Sequence, residues 1–185
     1  ITTNGHCPYR SSRGRASRRR LSVIFLLLGT LPLGARAGAP PLSFQRAVLP
    51  VAGVQQVLLP PTAAVLELLA DAKAGNTSPL RFAVPREVAL TPANSGTWEE
   101  VAGGRLWRLR VVSSQATDLN FGFARFWLPE GATLHISAES EPYFQGPYTA
   151  ADHQPDGQLW TAVVPGEAAV VELFVPRQAQ ADAAG

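Results

Sequence analysis

The sequence predicts an all-β domain, a jelly-roll-like β-sandwich with one short N-terminal helix and a signal peptide ahead of it. Three observations predict this fold. From Leu80 onward, strand-length apolar segments recur with turn residues between them. Arg105 to Val112 alternates with period two, placing Trp107, Leu109 and Val111 on one face and Arg108 and Arg110 on the other. Helical spacing occurs once in the exported part, at Val65, Leu66, Leu68 and Leu69.

Charge is spread unevenly along the 185 residues. Lys and Arg total 16 against 14 Asp and Glu, but seven arginines lie within residues 1–37, where there is no acid. From Gly38 onward nine basic residues face 14 acidic ones, a balance of about −5. That balance argues against a nucleic-acid partner for the folded part.

The basic excess belongs to a leader. Arg18, Arg19 and Arg20 form a basic stretch, Leu21 to Leu33 an apolar one, and Ala35-Arg36-Ala37 a small-x-small site, so residues 17–37 read as a signal peptide cut near Ala37. About 13 apolar residues, interrupted by Pro32, fall short of the ~20 that a bilayer span needs, so no stable membrane span is expected. Residues 1–16 start with Ile in a chain without Met and read as doubtful upstream translation. The single cysteine, Cys7, falls in that piece. The exported remainder, secreted or periplasmic, then depends on an ordinary hydrophobic core, which about 148 residues supply.

Residues 38–79 form a lead-in. Gly38 to Leu59 lacks a clean period and reads as extended and partly ordered, while Pro60-Pro61 and Gly75 bracket a helix over 62–73 whose apolar face packs on a sheet. Residues 80–177 form the sandwich. Trp107 and Trp160 are expected to fill the space between sheets. Phe121 to Leu128 is apolar on both faces, as a central strand would be, and Pro129-Glu130-Gly131 turns the chain into Thr133 to Ala138. There Leu134 and Ile136 point inward and His135 outward. Leu159 to Val164 and Val170 to Val175 flank Pro165-Gly166 and read as a β-hairpin. Residues 178–185, small and polar, read as a linker or a truncated tail.

The chemistry of the chain is mostly negative. There is no Gly-x-Ser-x-Gly and no Gly-Asp-Ser-Gly for a serine nucleophile, and His135 and His153 lack the spacing of a paired metal site. No catalytic, metal-binding or cofactor-binding residue is assigned. Asp152 and Asp156-Gly157 resemble half of a calcium loop, but carboxylates in such loops cap turns by accepting backbone N–H groups, and that reading is preferred. Asn76-Thr77-Ser78 fits a glycosylation sequon and carries little weight. Tyr143, Phe144 and Tyr148, placed in a loop between strands, and His153 are the candidate binding surface, with a polysaccharide as the ligand such aromatics would stack on.

Arg81-Phe82-Ala83-Val84-Pro85, then GTWEEVAGGRLWRLRVVSSQATDLNFGFARFWLPEGATLHI, then GPYTAADHQPDGQLWTAVVPGEAAVVELFVP form an ordered series over about residues 45–177. This series resembles the N-terminal propeptide region of secreted bacterial lysyl-endopeptidase-like (trypsin-like) serine protease precursors. The resemblance implies an accessory domain that helps its protease fold or holds it inactive. It also implies a partner in cis, a trypsin-like protease domain that supplies the His-Asp-Ser triad and disulfides and is absent from this sequence. No catalytic residue carries over, so this chain alone is not expected to be an enzyme. The alternative is a stand-alone secreted carbohydrate- or surface-binding module.

Overall fold

The computed structural model describes residues 38–75 and 83–179. The expected signal peptide, Cys7, the sequon at 76–78, Arg81 and Phe82, and most of the tail lie outside the described residues.

Two consecutive prolines, Pro40 and Pro41, lead into α1 (Leu42–Gln45), a single turn. A 3-10 turn at Val51–Gly53 follows, then β1 (Gln56–Leu59). The expected helix is α2 (Ala63–Ala74), one residue later than its sequence pattern. Thr62 caps it, accepting from Val65 N through Oγ1 at 3.4 Å, and Gly75 follows its last turn. Leu66, assigned to its apolar face, is half exposed.

Among the described residues the remaining regular structure is β apart from a 3-10 turn at Ala150–Asp152 and a helical residue at Ala179. The strands are β2 (Thr97–Val101), β3 (Gly104–Ser113), β4 (Asp118–Leu119), β5 (Gly122–Phe123), β6 (Thr133–Ala138), β7 (Phe144–Tyr148), β8 (Leu159–Trp160), β9 (Val164–Pro165) and β10 (Ala168–Pro176). Six of them form one sheet in the order β1-β3-β10-β6-β7, with β2 also on β3. Only β1 runs parallel to its neighbour. β2 and β1 share one edge of β3, β2 along its first half and β1 along its second.

The second layer is thinner than a full sandwich sheet. It consists of two ribbons, β4 with β9 and β5 with β8, and the segment carrying Phe126 and Leu128. These cover the apolar face of the large sheet, where Trp107, Leu109, Val111, Leu134, Ile136, Ala138, Val171 and Leu173 meet Phe126, Leu128, Leu159 and Val164. Burial of this face is the main drive to fold. Trp107 fills the core as expected and donates from Nε1 to Ser95 O at 2.6 Å, satisfying its one polar atom. Gly96 makes this approach possible: it has φ +79°, and a Cβ there would overlap the indole.

Four expectations are corrected. Trp160 is 69% exposed, because β8 ends there and its ring lies flat over Gly122 on the outside of the ribbon. The segments around Pro165-Gly166 do not form a hairpin: β9 pairs with β4, whereas β10 enters the large sheet between β3 and β6. Gly166, at φ +92°, redirects the chain between layers. Phe121 to Leu128 is not one central strand. Only Gly122–Phe123 pairs, and beyond it Phe126 N and Leu128 N donate to Gly157 O and His153 Nε2 of a neighbouring loop. His135 does not point into solvent; it is 4% exposed, and Arg108 on the same face is 2% exposed.

Candidate functional site

The corrected face of the sheet explains both burials. His135, Glu172 and Arg108 occupy matched positions on β6, β10 and β3, forming a polar row across three adjacent strands on the side away from the apolar core. Period-two alternation puts them there. Residues 38–54 lie across this row and exclude water from it.

Each polar group finds a partner in the covering segment or on β2. Arg108 pairs with Glu99 at 2.6 Å and also donates to Leu49 O. Glu99 Oε2 accepts from Leu49 N at 2.9 Å. Glu172 Oε1 accepts from Ser43 N at 3.3 Å, and Glu172 Oε2, fully buried, has no hydrogen-bond partner among the described residues. His135 Nε2 lies 2.9 Å from Ala39 O. Burial lowers the His135 pKa below 6.5, against the smaller opposing effects of the Ala39 hydrogen bond and the Glu172 charge, so the ring is held toward its neutral form.

The four candidate surface residues fall into two places. Phe144 and Tyr148 are the ends of β7 rather than parts of a loop, with Tyr143 just before it. The Phe144 ring lies 6.0 Å edge-on from Phe44 of the covering segment and 6.3 Å from the His135 ring. Tyr143 donates from its hydroxyl to Val163 O at 3.1 Å. Tyr148 donates to Gln145 Oε1 at 3.0 Å, and its pKa is raised by burial, then by the neighbouring Tyr143 and Asp152. His153 is apart from these three. It accepts from Leu128 N at 2.9 Å and stacks on Trp127, with rings 6.2 Å apart and 20° from parallel.

Trp127, 64% exposed, and Trp160 are aromatic rings on the outer surface that periodicity assigned to strands. Beside Trp160 is an open cleft of about 500 Å³ lined by Gln154, Pro155, Asp156, Gln158 and Leu159. Trp160 Nε1 donates to Gln158 Oε1 at 3.2 Å, which fixes the indole with one face free.

The acids of this loop behave as turn caps. Asp152 accepts from Thr149 N at 2.7 Å in a capping box, and Asp156 accepts from Gln158 N at 3.0 Å. Among the described residues no three His, Cys, Asp or Glu side chains group to hold a metal ion, and no helix is long and apolar enough to cross a membrane. The partners of both imidazoles are backbone groups.

Sequence reasoning missed Arg108, Glu99 and Glu172. The signal was present: Glu172 is the one charge inside Ala168-Ala169-Val170-Val171-Glu172-Leu173-Phe174-Val175, and an acid at the centre of an apolar strand needs a buried partner.

No solved structure matches the chain. A family model described as the lysyl endopeptidase N-terminal domain matches residues 57–185, which include all of β1 but its first residue, α2 and every later described strand. The order of turns and tryptophans, the all-β architecture and this match converge: the chain belongs to the lysyl endopeptidase N-terminal domain family.

Proposed function

We propose that this chain is an exported, propeptide-like accessory domain of a lysyl-endopeptidase-like serine protease precursor, which assists folding or latency of a trypsin-like protease domain in cis. The observation that carries this reading is the family match over residues 57–185. The leader features of residues 17–37 support a secreted or periplasmic location after cleavage near Ala37. Physical need supports the role: a β-rich protease with non-local pairings folds slowly and exposes strand edges meanwhile, and a folded neighbour that binds it shortens that exposure.

The test is refolding of a lysyl-endopeptidase catalytic domain with and without an equimolar amount of this chain, followed by titration of the chain into the active enzyme. A higher yield of active enzyme supports a folding role, and inhibition supports latency. Unchanged yield together with unchanged activity overturns both.

Exposed Trp127 and Trp160 favour a second reading, a secreted module that binds polysaccharide or another surface by stacking. Replacing both with Ala is expected to leave stability within about 0.5 kcal/mol, as for exposed positions generally. Loss of polysaccharide retention in affinity electrophoresis would favour this reading over the first. Equal retention by both proteins would remove it.

A further inference from the structure

Residues 38–54 are attached to the sheet in an uncommon way. In four bonds the sheet contributes the side chain and the segment the main chain: Ala39 O to His135, Ser43 N to Glu172, Leu49 N to Glu99 and Leu49 O to Arg108; one bond runs the other way, from Arg46 Nη1 to Ala102 O at 3.2 Å. A backbone N–H or C=O is common to nearly every residue, so these bonds select a chain path more than a sequence. Apolar anchoring comes from Pro41, which is fully buried, from Val54, which is 6% exposed, and from Phe44, half exposed, which meets Phe144 edge-on. Ala39, Pro40, Gln45, Arg46, Ala47 and Leu49 are exposed. Glu172 Oε2, buried and unpartnered among the described residues, leaves one more acceptor than the segment uses.

We propose that the polar face of the large sheet is a peptide-binding groove that holds its occupant by the main chain, in which residues 38–54 are the resident occupant and the same segment of a second copy of this chain is the exchange partner. Exchange between copies conserves every contact, because identical atoms meet identical atoms. Tethering sets the balance: the resident segment competes at an effective concentration on the order of millimolar, so exchange shows only when it is loosened or when chains are concentrated. A segment held by a few polar bonds and the three apolar anchors Pro41, Phe44 and Val54 opens without the sheet.

The experiment uses the full chain and a labelled peptide of residues 38–54 with capped ends. A variant with Pro41→Ser and Phe44→Asp loosens the resident segment while leaving His135, Glu172, Arg108 and Glu99 intact. By fluorescence anisotropy the wild-type peptide is expected to bind this variant at least about tenfold more tightly than it binds the unaltered chain. A peptide carrying Phe44→Asp is expected to bind more weakly than the wild-type peptide. A variant that keeps its near-UV circular dichroism yet binds no peptide overturns the proposal. Hydrogen exchange on the unaltered chain provides a readout independent of the variant. The Ser43 and Leu49 amides are expected to exchange about a hundredfold faster than those of β3 and β10. Equal protection of segment and sheet also overturns it.

Discussion

Arg108 brings a full charge to a position only 2% exposed, and its Glu99 partner is 22% exposed. Removing one member of such a pair strands the other, at a cost of several kcal/mol when both are fully buried. With Glu99 partly wet, Arg108→Ala is expected to lower stability by about 2–3 kcal/mol, read from the urea midpoint. His135 makes a pH prediction whose sign follows from its lowered pKa. The unfolded chain takes up the proton first as pH falls through 6.5, so stability is full above that value and declines below it, until pH passes the folded-state pKa. Urea midpoints between pH 7.5 and 5 are expected to show this decline, and His135→Gln is expected to flatten it. Alternation in the sequence correctly set Arg108 and His135 opposite the core, but it says nothing about whether that second face is wet. The cover comes from Ala39 and Leu49, 96 and 59 positions away in the chain, a distance at which local periodicity carries no information.

Among the elements, β3 and β6 were legible because each buries one clean apolar face and their side chains repeat with period two. The helix was legible for a similar reason, with prolines before it and glycine after it. The ribbons were not. β4, β5, β8 and β9 are two residues each, too short for any period to register, and an apolar run such as Leu159 to Val164 reads the same whether it makes one strand or two fragments. The candidate aromatics divide along the same line: Phe144 and Tyr148 lie in a strand that ends in Gly146-Pro147-Tyr148, a sequence that reads locally as a turn. The short loop before β2 makes its own prediction. Gly96→Ala combines a positive φ with a methyl group directed into the Trp107 indole, and is expected to cost about 2–4 kcal/mol with a blue-shifted or broadened tryptophan signal. Differential scanning calorimetry measures the first and fluorescence the second. A cost under about 0.5 kcal/mol would show that the indole moves aside freely.

For the molecule as a whole, the large sheet is held together by contacts distant in sequence. β10 pairs with β3 over nine residue pairs and with β6 over six, so the last of the described strands is a central strand of the sheet. Such topology favours slow folding. Ending the chain after Glu167 is expected to abolish the cooperative urea transition and the near-UV tryptophan signal, because β3 and β6 would be left with no strand between them. A truncated chain that still unfolds cooperatively would contradict this. The position of β10 also acts as a clock. A polypeptide emerging from a ribosome or a translocation pore presents β1, β2, β3, β6 and β7 first, all of them waiting on a keystone that arrives only with residues 168–176. Until then β3 and β6 have no strand between them to pair with. Once Pro176 is out, the sheet closes, and the moment of commitment is set by chain order itself.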